Sequence, residues 1–123
     1  VRGICCLRPG VPGLSENIQV RSVVGRFLEH TRVYWFGNNG KSEVYCSSAD
    51  AMVRNLVNRV EVAFPLEDKD LVARLKEDLD ACLRDNCQSW VLQPDGRYLQ
   101  NQPSPDEERF ACQSVLLDRL SAK

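Results

Sequence analysis

At 123 residues, the chain suits one small domain or half of a larger one. A hydrophobic share of 43% and a charged share of 27% match an ordinary globular protein. The formal net charge of -1 supplies no overall field for nucleic acid or a membrane surface, and no apolar run approaches the roughly 20 residues of a bilayer span.

The balance of charge hides an asymmetry. Up to Arg59 the basic residues are almost all arginine and outnumber the acids; from Val60 onward the acids dominate. Arginine rather than lysine suits bidentate contact with phosphate or carboxylate. For any single arginine, a solvated or acid-paired surface role is the default. None of the cysteines forms a C-x-x-C pair, and a lone histidine cannot complete a zinc finger, so no metal site is expected. Most of the cysteines read as small core residues of a reduced, cytosolic protein. Val1-Arg2-Gly3-Ile4-Cys5 lacks the pattern of a secretory leader and does not begin with Met. The expectation is a cut from a longer protein, truncated at its N-terminus, with some strand partners outside it.

In chain order, RGICCLR (2–8) reads as a short strand ended by Pro9 and Gly10, and PGVPGLSEN as a loop. IQVRSVVG alternates and then runs apolar, as a strand does, until Gly25 breaks it. RFLEH is one turn. TRVYWFG is the strongest strand, β-branched and aromatic throughout, and Asn38-Asn39-Gly40-Lys41 turns it into its antiparallel partner SEVYCSS. This hairpin brings Ser47 to Asp50 back beside His30.

SADAMVRNLVNR reads as a turn or short helix, and VEVAFP as a strand closed by Pro65. Asp68 caps a long amphipathic helix whose apolar stripe is Leu71, Leu75, Leu79 and Cys82. QSWVLQPDGRYLQ is a hairpin around Pro94-Asp95-Gly96. Ser104-Pro105-Asp106-Glu107 is a capping box opening a last helix with Phe110, Leu117 and Leu120 inward. The class is α/β (α+β): a mixed sheet with helices packed on it.

His30, the only histidine, is the candidate centre. A lone histidine is by default structural. Arg32 on the same side of the strand and Ser47 and Ser48 returning beside it make an anionic ligand the sharper expectation. Arg2, Arg54 and Asn55 are further candidate donors; their bland readings are an exposed chain edge and a solvated helix face.

Three motifs occur in order: RG-x-C-x-L-x-PG from Arg2, FLEH-x-RVY-x-F from Phe27 and SAD-x-M-x-RN from Ser48. Together they resemble the carboxy-terminal part of bacterial polyphosphate kinase, closely from Arg2 to about Asp68 and in general layout beyond. The resemblance implies a phospholipase D-like half-domain. His30-Thr31-Arg32 is similar to that fold's H-x-K with Arg for Lys. Gly37 stands in the place of its Asp, and Ser47-Ser48-Ala49-Asp50 is similar to its G-S-x-N turn.

It further implies a cytoplasmic enzyme, membrane association being left open, that passes the terminal phosphate of ATP through a phosphohistidine to long-chain polyphosphate. The phosphorylated histidine and the magnesium ligands would lie in an upstream domain. Arg2, His30, Arg32, Ser48, Arg54 and Asn55 would be ATP-phosphate contacts, with His30 the assisting catalytic histidine. The partners would be ATP, ADP, polyphosphate and the other domains of the same polypeptide, in a homo-oligomer. Residues 1–123 would be inactive alone. The alternative is an inert phospholipase D-like module that binds anions.

Overall fold

The computed structural model describes residue 1 and residues 3–122. They form two compact units, Val1–Leu28 with Asp78–Lys123, and Glu29–Glu77. The α+β class is as expected. The strands divide between two antiparallel three-stranded sheets where the sequence suggested one mixed sheet.

In the first unit the sheet order is β1 (Arg21–Val23), β5 (Ser89–Leu92), β6 (Tyr98–Gln100). The Pro94-Asp95-Gly96 hairpin forms as expected, with Gly96 at positive φ and the Gln93 N–H on the Arg97 carbonyl at 2.8 Å. Val20, Ala81, Cys87, Leu92 and Cys112 are the buried apolar residues. Cys112 is held by a hydrogen bond with Cys82 and by burial, which together push its thiol far above the usual range. The reading of most cysteines as core residues holds for Cys87 and Cys112; Cys5, Cys46 and Cys82 are half-buried and Cys6 is exposed.

Residues 3–8 do not form the expected strand. Ile4 is 81% exposed and no described strand pairs with this stretch, so its backbone has no ladder to join. The capping box also behaves differently. Ser104 and Glu107 do bond each other, with the Glu107 N–H on the Ser104 carbonyl at 2.9 Å, but they close an isolated turn. The last helix, α3, spans Cys112–Ser121. Its cap residue Ala111 has no side chain to offer, and the Cys112 N–H instead donates to Asp85 Oδ2 at 2.9 Å. Leu117 and Leu120 are exposed, contrary to expectation, while Phe110 lies half-buried under the Arg84 guanidinium at 4.4 Å.

Gln113 on α3 fastens the chain before it leaves this unit. Its Oε1 accepts the Phe27 N–H and its Nε2 donates to the Phe27 carbonyl, both at 2.9 Å. Gly25 runs so close that an added Cβ would stand 2.8 Å from Gln113 Cδ. Gly25→Ala is therefore expected to displace Gln113 and break that paired contact, costing about 1–3 kcal/mol in a urea titration. A midpoint equal to the parent's would refute the close approach.

In the second unit the sheet order is β2 (Val33–Phe36), β3 (Glu43–Ser47), β4 (Ala63–Pro65). One helical turn, α1 (Val53–Leu56), joins β3 to β4. Val44 and Ala49 are its buried apolar residues. Helix α2 (Lys69–Arg84) begins here, and Asp68 is its cap as read from sequence: Oδ1 accepts the N–H of Asp70 and of Leu71, each at 3.0 Å. Of the expected stripe, Leu75, Leu79 and Cys82 are half-buried and Leu71 is exposed.

Candidate functional site

The site is built on the β2–β3 hairpin. Asn38, Asn39 and Gly40 all have positive φ, which Asn and Gly tolerate, so the turn is tight and the register unique. Val33 faces Cys46. One residue further out, the Ser47 N–H donates to the Arg32 carbonyl at 2.9 Å. The return strand thus delivers Ser48, Ala49 and Asp50 to the His30 end of β2.

There the Arg32 Nε–H donates to Asp50 Oδ1 at 2.8 Å and Nη1 donates to the His30 carbonyl at 3.0 Å. The bond from Arg32 holds the Asp50 carboxyl below the usual carboxylate range against a smaller opposing effect of burial, with help from Arg54 and His30. The same bond raises the Arg32 guanidinium. His30 itself is exposed on the loop before β2.

A second carboxylate organises the other donors. Glu61 accepts the Ser48 hydroxyl at Oε2 and the Asn55 amide at Oε1, the latter at 2.7 Å. Ser48 first and Asn55 next lower the Glu61 pKa, outweighing partial burial. The Ser48 Oγ in turn accepts the Val62 N–H at 3.0 Å, and the Ser48 N–H donates to the Val62 carbonyl at 3.0 Å. Asn55 is 3% exposed, and its Oδ1 has no partner.

Arg32 therefore pairs with Asp50, with the charges of Arg54 and His30 also felt there, whereas Ser48 and Asn55 turn to Glu61. The expectation for Arg2 lies outside the described residues. Sequence reasoning brought Asp50 beside His30 without naming it a ligand, and it missed Glu61. Glu61 left little signal: an acid between Val60 and Val62 reads as the solvent-facing position of an ordinary alternating strand.

The set suits an anion. Arg32, Arg54 and Arg59, the last of which helps to lower Glu61, exceed Asp50 and Glu61 by one positive charge, and the bonds to Asp50 and His30 leave guanidinium hydrogens of Arg32 uncommitted. Among the described residues, no group of three His, Cys, Asp or Glu side chains is placed to hold a metal ion.

The sequence model of a family described as "Polyphosphate kinase C-terminal domain 2" matches residues 1–113. A polyphosphate kinase of Pseudomonas putida is 56% identical over 121 residues, which are 98% of this chain and 17% of that relative. One from Thermosynechococcus vestitus is 55% identical over 119 residues, 97% of this chain and 16% of the relative. The crystal structure of polyphosphate kinase from Porphyromonas gingivalis matches with a TM-score of 0.90 at 38% identity, over 98% of this chain and 18% of that one. The chain thus spans less than a fifth of the length of the relatives it matches.

Proposed function

The chain belongs to the polyphosphate kinase C-terminal domain family, and from that premise we propose that it is one part of an ATP–polyphosphate phosphotransferase. The single observation that carries the reading is the Arg32 guanidinium fixed between Asp50 and the His30 carbonyl at one end of the β2–β3 hairpin. Arginines beside a histidine on a rigid hairpin are suited to hold phosphate oxygens while charge moves between them.

In this reading the terminal phosphate of ATP passes reversibly to a histidine outside this chain and then to polyphosphate. Arg2, His30, Arg32 and Arg54 contact the phosphates of ATP. Ser48 and Asn55 join them when a phosphate oxygen displaces Glu61. His30 protonates or stabilises the leaving oxygen. Magnesium accompanies ATP, held by ligands outside residues 1–123. The chain acts with the other domains of its polypeptide, in a cytoplasmic homo-oligomer whose membrane association stays open. Alone it is inactive and binds nucleotide weakly, because a site shared between bodies loses most of its contacts when one is removed. Among the described residues no helix is long and apolar enough to cross a membrane.

A second reading rests on a different observation. Glu61 already satisfies Ser48 and Asn55, as it would in an inert module that holds an anion at Arg32 alone. One assay separates the two: ATP-dependent polyphosphate formation by the longest native polypeptide carrying this sequence, with and without His30→Ala. Loss of synthesis supports the phosphotransferase; undiminished synthesis leaves only the anion-binding module.

A further inference from the structure

Two of the six cysteines meet inside the first unit. Cys82 lies near the end of α2, and Cys112 is the first residue of α3. Asp85, about one turn beyond Cys82 on α2, accepts the Cys112 N–H at Oδ2 at 2.9 Å, which seats the start of α3 on that turn. There the two thiols are hydrogen-bonded to each other. No disulfide joins them or any other cysteine. Among the described residues, no third His, Cys, Asp or Glu side chain completes a metal site around them.

The two sulfurs differ in what they can do. Cys112 is 0% exposed, and its bond to Cys82 together with burial keeps the proton on it. Cys112 is therefore the donor and the Cys82 sulfur the acceptor. Cys82 is half-buried, so an oxidant that enters from solvent meets it first. The other buried thiol, Cys87, is turned away to the Phe110 carbonyl at 3.4 Å.

We propose that Cys82 and Cys112 are a dithiol pair that hydrogen peroxide closes to a disulfide between α2 and α3. In the first step the Cys82 sulfur attacks the peroxide and the O–O bond breaks. One oxygen stays on sulfur as a sulfenic acid, and the other leaves with the Cys82 proton as water. In the second step the Cys112 sulfur attacks the Cys82 sulfur. The S–S bond forms, the S–O bond breaks, and the departing hydroxide takes the Cys112 proton as a second water. Two thiols are oxidised and one peroxide is reduced. The reluctance of Cys112 to ionise slows this step, but a thiol held against its target acts at an effective concentration far above that of any thiol in solution. Reaching an S–S length of about 2.05 Å requires closing only the gap of a hydrogen bond. The disulfide would fix covalently the seat of α3, from which Gln113, the next residue, grips both backbone groups of Phe27. None of this depends on the phosphotransferase reading.

The test is peroxide treatment of the full-length native polypeptide, then maleimide block in denaturant and mass mapping without reduction. The expected result is a cross-linked peptide joining Cys82 to Cys112, which dithiothreitol splits. In Cys82→Ser, at an unfolding midpoint equal to the parent's, oxidation of Cys112 should slow by about tenfold or more, because the buried thiol loses its route to the oxidant. A parent protein in which Cys6 is oxidised and no Cys82–Cys112 cross-link forms overturns the proposal, and that reading needs no variant to fold. A cross-link that forms only once the protein is unfolded also overturns it. So does Cys112 oxidation in folded Cys82→Ser within about twofold of the parent rate.

Discussion

His30→Ala in the longest native polypeptide is expected to slow ATP-dependent polyphosphate formation by about 10²–10⁴-fold, the usual contribution of a positioned acid–base group. That corresponds to about 3–5 kcal/mol of transition-state stabilisation. The fold should not notice. His30 is exposed, and what Arg32 Nη1 uses is its backbone carbonyl, which alanine retains. Stability should therefore stay within about 0.5 kcal/mol of the parent in a urea titration. This pairing makes the test decisive. A large rate loss with an unchanged unfolding midpoint assigns His30 to chemistry. A rate within about threefold of the parent ends its catalytic role, and a collapse of stability returns it to a structural one. Arg32→Ala is different in kind, because it also frees Asp50 from its lowered pKa and leaves that carboxylate facing the proposed phosphate site.

Asp85→Ala is expected to be the most destabilising single change in the first unit. Asp85 is 1% exposed. Its Oδ1 accepts the N–H groups of Cys87 at 3.1 Å and Gln88 at 2.6 Å, and its Oδ2 accepts the Cys112 N–H at 2.9 Å. Alanine would strand all three donors away from water, at about 1–3 kcal/mol each, so a total loss of about 4 kcal/mol or more is expected. Equilibrium unfolding measures it, and a loss below about 1 kcal/mol would refute the cap.

The same carboxylate sets a pH dependence. Burial pushes the Asp85 pKa up, but the N–H bonds from Cys112, Gln88 and Cys87 outweigh it and hold the group below the ordinary value. The sign follows from linkage. With a folded pKa below the unfolded one of about 4, the stabilisation is fully present above pH 4 or so. It is lost as pH falls through the depressed folded value. Asp85→Asn removes the titration, so its stability should fall less steeply in acid than the parent's. Identical acid limbs would contradict this account.

Local signals reached the site well. The alternation of Val33-Tyr34-Trp35-Phe36 and the Asn38-Asn39-Gly40 turn predicted the hairpin, and the hairpin's register by itself brings Ser48 and Asp50 to His30 and Arg32. Asp68 as a helix cap was equally legible, because a carboxylate that accepts the first N–H groups needs only the next three residues. Ser104 to Glu107 showed the limit of such signals. The motif formed its local bonds, yet no helix grew from it. A helix needs a packed face to extend, and α3 found its own eight residues later at Cys112, beside Asp85.

The arrangement of donors was less legible. Arg32 and Ser48 read as ligands waiting for an anion, and the structure supplies each with a carboxylate of its own chain, Asp50 and Glu61. Sequence patterns carry the residue types for such pairs but not their partners. The pairing of Ser48 with Glu61 spans 13 residues and depends on how β3 meets β4.

The sequence by itself determined the family motifs, the hairpin and the end of it at which the basic residues gather, because adjacent residues and one tight turn suffice for these. Only the tertiary structure decided where α3 starts, since its first N–H finds a carboxylate 27 residues upstream. It alone turned Asn55 and Glu61 toward each other, through hydrogen bonds to each other and to Ser48 that no local propensity encodes. It also left residues 3–8 outside any sheet, for a β-prone stretch becomes a strand only when a neighbouring edge accepts its backbone.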